Sequence, residues 1–171
     1  MLALSRRRAL ALMGGLAAAP ILPAASAFSQ EKYIDLTIRG GQFRPVSIAV
    51  TPFVGEGEGS AKISQIIAGD FRRSVFLQPL DPKSFPEQIA NPDQPPQMDA
   101  WRAAAAQFVV TGRAARGPDG RIRTEFRLWD VASGTQTDGQ QYFTDPSNNR
   151  RVAHIISDAI FSKITGLGGF F

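Results

Sequence analysis

The sequence predicts an α/β domain: a mixed sheet of about five strands with two main helices and a shorter helix packed on it. Two observations lead to this class. Short runs rich in β-branched and aromatic residues alternate with two longer segments whose apolar residues recur at helical spacing. Three of the β-rich runs then follow one another near the carboxyl end, separated only by short turns, which indicates consecutive hairpins.

The first 27 residues are predicted to be a cleavable export signal. Three arginines precede a short apolar stretch, and small residues end it, so cleavage is expected between Ala27 and Phe28. The apolar run is far shorter than the roughly 20 residues that a membrane-spanning helix needs. The arginines also resemble a twin-arginine signal, so the Sec and twin-arginine routes both stay open, and either route leads to the periplasm.

The amino-terminal half of the mature chain is predicted to hold two strands and the first main helix. Residues 33–38 alternate like a strand but lie at the chain terminus, where a segment is weakly held. A buried strand is expected at residues 46–53, bounded by prolines. The helix is expected over residues 61–74, with isoleucines at helical spacing and Ser60 as its N-cap.

The middle of the chain is predicted to be mostly irregular. A short strand begins at Val75, and the proline-rich residues 79–96 are expected to form a surface loop with solvated carboxylates. Asp99 is the expected cap of a short helix that runs through residues 101–106.

Three strands are predicted next, at residues 107–116, 120–130 and 137–144, joined by turns at 117–120 and 132–135. In the middle strand one face is mainly apolar and the other is charged. The apolar-face residues are Ile122, Thr124, Phe126 and Leu128, and those of the charged face are Arg123, Glu125 and Arg127. This alternation predicts a sheet that is solvated on one side.

The last main helix carries an apolar stripe from Val152 to Ile160. Asp145 or Ser147 is the expected N-cap, and Gly166 is expected to end the helix. The chain then finishes in two phenylalanines, which are predicted to be exposed.

Composition argues against nucleic-acid binding, metal binding and catalysis. The chain has 19 Lys and Arg against 15 Asp and Glu, but three of the arginines belong to the signal, so the mature net charge is +1. That balance does not indicate a phosphate-binding surface. There is no cysteine and one histidine, His154, for which a structural role is predicted. No catalytic motif surrounds any serine.

Two motifs suggest a propeller blade and a phosphate-binding loop, but the rest of the sequence does not fit either structure. Trp129-Asp130 before a Ser-Gly turn is typical of a propeller blade, but blades repeat about every 40 residues and no second copy occurs, so a hairpin is predicted. The glycine-rich stretch after the first strand suggests a phosphate cradle. Its glycine spacing is wrong, and Glu56 and Glu58 would repel a phosphate, so a flexible loop is predicted.

Five strings of the chain carry a family resemblance: RPVSIAVTPF, AWRAAAAQFVVTGRA, DGRIRTEFRLWDVASG, GQQYFT and RRVAHIISDAIFSKITG. In this order, over residues 33–171, they resemble the amino-terminal domain of the TolB family, which belongs to the periplasmic Tol-Pal envelope system. The chain departs from the family pattern at Val75, where the family usually has glycine, and at Asn149, where it commonly has tryptophan. The first departure concerns the end of the first helix, and the second concerns packing at the start of the last helix.

The resemblance implies a division of the chain. Residues 1–27 would be the signal, 28–40 a mobile amino-terminal segment, 41–165 an α/β domain whose fold resembles an anticodon-binding domain, and 166–171 the start of a linker. A β-propeller would follow that linker in the family. The resemblance implies protein–protein interaction without catalysis, cofactor, nucleic acid or small-molecule substrate.

The family links the inner-membrane protein TolA to the lipoprotein Pal, and so maintains outer-membrane integrity and envelope constriction during cell division. Pal would bind only through the missing propeller. Carried over by position, the TolA-binding segment comprises Phe28, Ser29, Gln30, Glu31, Lys32, Tyr33, Ile34, Asp35, Leu36, Thr37, Ile38, Arg39 and Gly40. An accessory domain of another outer-membrane assembly or export system remains the alternative, because strings like IAVTPF also open unrelated envelope proteins.

Overall fold

The computed structural model describes residues 44–55, 58–169 and 171, and the structural statements below concern these residues. The elements in chain order are β1 Val46–Val50, α1 Glu58–Arg73, β2 Leu77–Pro79, α2 Met98–Ala103, β3 Phe108–Arg116, β4 Ile122–Asp130, β5 Thr135–Thr144 and α3 Asn149–Thr165. Single 3-10 turns at Pro82–Ser84 and Pro146–Asn148 lie between them. The strand predicted at residues 33–38 falls outside the described residues.

The five strands form one mixed sheet in the order β2-β1-β3-β4-β5, as predicted. β1 runs parallel to β2 and to β3, whereas β3, β4 and β5 are consecutive antiparallel strands. The parallel neighbours of β1 need crossover connections, and α1 supplies the one from β1 to β2. The mixed topology therefore combines one β-α-β unit with an antiparallel meander.

Helices α1 and α3 cover one face of the sheet and form the larger core. Ile63, Ile67 and Phe71 of α1 are fully buried, as helical spacing of apolar residues predicts. From α3, Ile156, Ile160 and Phe161 are equally buried. They contact Ile48 and Val110 of the sheet and the apolar side chains of β4. The apolar face of β4 therefore lies against the core, as predicted.

The opposite face of the sheet is also covered, so the prediction of a solvated face is wrong. Ala49, Val109 and Trp129 of the sheet are buried there together with Trp101 of α2. The proline-rich loop lies over the same face and is held by Glu87, which accepts a hydrogen bond from the Trp101 indole at 2.6 Å. Glu87 and Asp93 are structural anchors of the loop, because the folded-back loop brings them to partners distant in sequence, whereas the Asp81 carboxylate bonds the Lys83 amide within its own turn.

Helix starts are the least accurate part of the sequence prediction. Ser60 is not an N-cap, because α1 begins at Glu58, two residues earlier. Asp99 lies inside the first turn of α2 and pairs with Arg102, and the N-cap position is Gln97. These starts depend on where the preceding loop leaves the chain, which short-range capping patterns do not specify.

The last helix begins after a short 3-10 turn that the sequence analysis did not foresee. Asp145 caps this turn by accepting bonds from the Ser147 amide at 2.9 Å and the Ser147 hydroxyl at 2.6 Å, and these bonds hold the pKa of the Asp145 carboxyl below its usual value. Neither residue therefore caps α3 itself, whose N-cap is Asn148. At the other end Gly166 adopts φ 72° and ends the helix as predicted.

The hairpin that contains Trp129-Asp130 is confirmed. The Asp130 carboxylate accepts bonds from the amides of Ala132 and Ser133, at 2.8 and 3.1 Å, and Gly134 completes the turn with φ 69°. β5 then starts at Thr135, two residues before the predicted start. The aspartate is thus the turn-forming residue of one β4–β5 hairpin.

The two carboxyl-terminal phenylalanines were predicted to be exposed, and for Phe171, the one that is described, this prediction is wrong. Phe171 packs edge-on against Phe71 and Phe161, with ring centroids 6.1 and 5.7 Å apart. Its amide donates to the Asp158 carboxylate at 2.9 Å. The apolar side chain joins the core between α1 and α3 because that cleft offers two aromatic partners. Phe170 lies outside the described residues.

Candidate functional site

The predicted partner-binding segment, residues 28–40, lies outside the described residues. The description begins at Arg44, and the chain joins the sheet at Val46, the first residue of β1. Because β1 and β3 are parallel and β4 is antiparallel to β3, the start of β1 lies at the same end of the sheet as Phe108 and Asp130. The described chain therefore enters the sheet at this end.

A cavity of about 700 Å³ opens at this same end of the sheet. Its walls come from the end of α2, the start of β3, the end of β4, the start of β5 and the end of α3. The apolar lining residues are Ala105, Ala106, Phe108, Leu128, Val131, Ala132 and Ile164. Arg102, Asp130 and Lys163 add charged groups. We call it the sheet-end cavity; its apolar lining with a few polar groups is typical of binding sites.

Gln107 connects the sheet-end cavity to the start of β1. Its amide donates to the Ser47 carbonyl at 2.9 Å, and its side-chain oxygen accepts from the Ser47 amide at 2.8 Å. Its carbonyl accepts from the Val131 amide at 3.0 Å. Gln107, which lines the cavity, thus bonds both β1 and the residue that follows β4.

Ala105, in the wall of the sheet-end cavity, has a left-handed backbone with φ 60°. The amides of Ala105 and Ala106 donate to the carbonyls of Arg102 and Trp101, both at 3.0 Å, which is the bonding pattern of a Schellman helix end. This turn ends α2 at Ala103, earlier than the predicted residue 106. Glycine is usual at such a position because a Cβ is strained there.

A buried polar cluster joins α1 to α3. Asp70 is fully buried and accepts hydrogen bonds from His154 Nδ1 at 2.9 Å and from the Ser157 hydroxyl at 2.7 Å. Its other oxygen pairs with Arg73. Arg150 Nε donates to His154 Nε2 at 3.4 Å, so the histidine proton shared with Asp70 is on Nδ1.

These residue types also form hydrolytic triads, but the geometry here is different. In a triad the serine bonds the distal nitrogen of the histidine. Here Ser157 bonds Asp70 directly and is itself fully buried, so it presents no nucleophile. The structural role predicted for His154 is confirmed by its bond across the two helices.

A second charged cluster fastens the proline-rich loop to the sheet. Asp93 of the loop pairs with Arg113 of β3 and Arg127 of β4. The hydrogen bond from Arg113 holds the pKa of the Asp93 carboxyl below its usual value of 3.8, and the charges of Arg127 and Arg123 act in the same direction. Glu125, nearly buried, lies between the same arginines and bonds Arg123 at 2.6 Å.

The glycine-rich stretch makes a structural contact where it is described. A Cβ on Gly55 would lie 2.0 Å from the Ala114 carbonyl oxygen, so glycine allows this loop to approach β3. The Ala114 carbonyl oxygen beside Gly55 carries a partial negative charge and does not favour a bound anion. Residues 56 and 57 are not described, and the described residues contain no group of three acidic, histidine or cysteine side chains placed to hold a metal. Nor does any described helix have the length and apolarity to cross a bilayer.

No residue that lines the sheet-end cavity was predicted from the sequence to belong to a binding site. The lining residues come from five elements that are separate in the chain and from the turns beside them, and each residue type is ordinary in its own element. Gln107, a polar residue at the start of a buried strand, was the single local signal. The Asp70–His154 pair was missed for the same reason, since 84 residues separate the two side chains.

The comparisons with known proteins agree with the family resemblance. The TolB amino-terminal domain family matches residues 34–137, which is more than half of the chain and includes residues 34–40 of the segment that was predicted to bind a partner. TolB from Acinetobacter baumannii is similar in structure, with a TM-score of 0.64 and 28% identity over 74% of this chain and 30% of that chain. The chain thus spans less than a third of that TolB.

Two further solved structures are similar at a lower level. The LpoB carboxy-terminal domain from Escherichia coli has a TM-score of 0.48 and 9% identity, over 64% of this chain and 90% of that domain. A lipoprotein from Neisseria meningitidis has a TM-score of 0.49 and 14% identity, over 69% and 96% of the two chains. At this similarity neither structure bears on function.

Proposed function

The chain belongs to the TolB amino-terminal domain family, and from that premise we propose that it is a periplasmic interaction module of a Tol-Pal system that binds a TolA-like inner-membrane protein. The observation that carries the proposal is the family match, which begins at residue 34 and therefore includes part of the amino-terminal segment. The module works by binding and performs no chemical reaction. Export across the inner membrane through the signal of residues 1–27 is part of the proposal.

TolA contact is assigned to residues 28–40, which pair with a sheet edge of TolA as an added strand. The segment has strand-forming side chains at Tyr33, Ile34, Leu36 and Ile38. In strand addition the main chain supplies hydrogen bonds and alternate side chains fill pockets. Outer-membrane integrity and envelope constriction follow from coupling this contact to Pal, which binds only through the propeller that follows this domain in the family.

The sheet-end cavity is the proposed resting site of the same segment. It opens where the segment joins β1, and its apolar lining suits Leu36 and Ile38. The eight residues from Ile38 to Val46 span up to about 26 Å when extended, enough to reach the cavity past Gln107. Since the segment is short, docking and release differ by only a few kcal/mol, and TolA shifts the population towards release.

A crosslinking experiment tests this two-state proposal. The chain has no cysteine, so Ile38→Cys with Ala132→Cys at the cavity rim provides two unique thiols for a short bismaleimide. We expect efficient crosslinking and at least a roughly tenfold loss of affinity for the periplasmic part of TolA, because the segment is then held in its docked state.

The matched control is Ile38→Cys with Thr144→Cys, since Thr144 pairs with Ile122 at the opposite end of the sheet. This pair should not crosslink. Failure of the cavity pair to crosslink would remove the docking proposal, and unchanged TolA affinity of the crosslinked chain would contradict release as the binding step.

A further inference from the structure

β5 is an edge strand of the sheet, and the hydrogen bonds of β3 establish which of its backbone groups face outward. The Val110 and Gly112 carbonyls accept bonds from the Thr51 and Val54 amides. The backbone groups of the even-numbered residues of β3 therefore point towards β1 and the residues that follow it. In a strand successive residues bond to opposite neighbours. The odd-numbered residues of β3 therefore bond β4.

The same alternation carries across β4 to the edge. Odd-numbered residues of β4 pair with odd residues of β3, so its even residues bond β5, through pairs such as Phe126 with Gln140 and Thr124 with Tyr142. The backbone groups of Gly139, Gln141 and Phe143 consequently point away from the sheet. This stretch lies beyond the β-bulge, which falls between Leu128 and Trp129.

Two of these six outward groups already have partners. The Gly139 amide donates to the Asp138 carboxylate at 2.7 Å, and the Phe143 carbonyl accepts from the Arg121 guanidinium at 3.0 Å. Four groups remain without a partner among the described residues: the Gly139 carbonyl, the Gln141 amide, the Gln141 carbonyl and the Phe143 amide.

We propose that this edge binds a second copy of the chain, with β5 antiparallel to β5 of the copy about a two-fold axis at Gln141. In that register Gln141 faces Gln141, and the two exchange two hydrogen bonds. Gly139 faces Phe143 of the copy, so each free Phe143 amide meets a free Gly139 carbonyl. The two groups that are already bonded, the Gly139 amide and the Phe143 carbonyl, are the partners of each other in this register.

The four free groups are therefore self-complementary, which is the requirement for an isologous interface. A heterologous partner strand would not need the free and occupied groups to correspond in this way. The pattern thus favours a second copy over an unrelated extended peptide.

Side chains support the same register. Phe143 is 51% exposed, and a cleft of about 250 Å³ lies beside Gly139, the residue that Phe143 of the copy would face. β5 contains no lysine, arginine or proline, which usually protect edge strands, and its one charged residue, Asp138, faces Thr144 of the copy. Four backbone bonds and two rings are a small interface, so the dimer forms only at high protein concentration.

Introducing a charge at the two-fold axis tests the proposal. Gln141 is exposed, and because it faces itself, Gln141→Lys or Gln141→Glu places two like charges opposite each other. We expect sedimentation equilibrium of the parent to show a monomer–dimer equilibrium, and each variant alone to dissociate about tenfold more readily. An equal mixture of the two variants should form a heterodimer at least as tightly as the parent.

Gln65→Lys on the exposed surface of α1 is the matched control and should leave the equilibrium unchanged. Thermal unfolding followed by circular dichroism verifies that all variants are folded. A parent that is monomeric at every concentration would overturn the proposal. So would variants that associate like the parent, or a mixture that does not associate.

Discussion

Ala105 combines a strained backbone with a position in the wall of the sheet-end cavity. Its φ of 60° suits glycine, and an alanine there costs roughly 1–2 kcal/mol. Strain of this kind persists only where the surroundings impose it, and here the two Schellman bonds and the burial of Ala106 do so.

Replacing Ala105 by glycine should therefore stabilise the protein. We expect Ala105→Gly to raise the free energy of unfolding by about 1 kcal/mol, because relief of the Cβ strain exceeds the greater chain entropy of glycine. Urea denaturation measures the change. Ala104→Gly is the control, since Ala104 has φ −78° and should lose stability; equal effects at the two positions would contradict the strain argument.

Asp70 is the residue whose loss should cost most among the polar side chains. Asp70→Ala leaves His154 and Ser157 without their shared acceptor, so we expect a loss of about 3 kcal/mol in the free energy of unfolding. Asp99→Ala is the comparison, because the Asp99 side chain is 98% exposed and its pair with Arg102 contributes little. A loss below 1 kcal/mol for Asp70→Ala would show that the buried cluster does not hold α1 to α3.

At the scale of elements, the proline-rich loop depends on Asp93 for its attachment to β3 and β4. The pKa of this carboxyl is lower in the folded state than its ordinary value of 3.8, so the ionised form stabilises the fold. This contribution is fully present above the unfolded-state pKa and is lost as the pH falls through the lower, folded-state pKa.

We therefore expect Asp93→Asn to be less stable than the parent at pH 7, and the difference to disappear as the pH falls below about 3.8. Urea denaturation across this range measures both proteins. Asp93→Glu keeps a carboxylate and should retain the pH dependence of the parent. A difference between parent and Asp93→Asn that is constant with pH would show that the ion pairs do not hold the loop.

The elements themselves were predictable where their pattern is local. The apolar spacing in α1 and α3 and the alternation in β4 identified these elements, and Gly166 marked the end of α3. Helix starts at Glu58 and Asn149 were missed because capping depends on how the preceding loop is held. The second buried face was missed because an irregular loop and a short helix cover it, and neither has a long apolar period.

The end of α1 shows how the chain replaces a family feature. Val75 stands where glycine is usual, and it does not adopt the left-handed conformation. Instead the Ser74 amide bonds the Phe71 carbonyl at 3.0 Å, and the Ser74 hydroxyl accepts from the Phe76 amide at 3.0 Å. A side-chain bond thus closes the helix, and Val75 is left 68% exposed.

Asn149, the other departure from the family, lies beside a second cavity. The side-chain oxygen of Asn149 is buried without a hydrogen bond among the described residues, in the wall of a cavity of about 540 Å³ that Ile63 and Ile122 also line. The smaller residue leaves space at the start of α3, which agrees with the expectation of weaker packing there.

At the scale of the whole molecule, the described residues form a mixed sheet with buried side chains on both faces. The sheet-end cavity occupies one end and the free groups of β5 occupy one edge. The buried polar clusters, by contrast, hold elements together and present no reacting group.

The central claim is that residues 28–40 bind TolA, and calorimetric titration tests it most directly. The periplasmic part of TolA is titrated into the mature chain and into the same chain without residues 28–40. We predict measurable binding to the first and at least about a hundredfold weaker binding to the second, with unchanged thermal unfolding of the described domain. Equal affinities of the two chains for TolA would contradict the account.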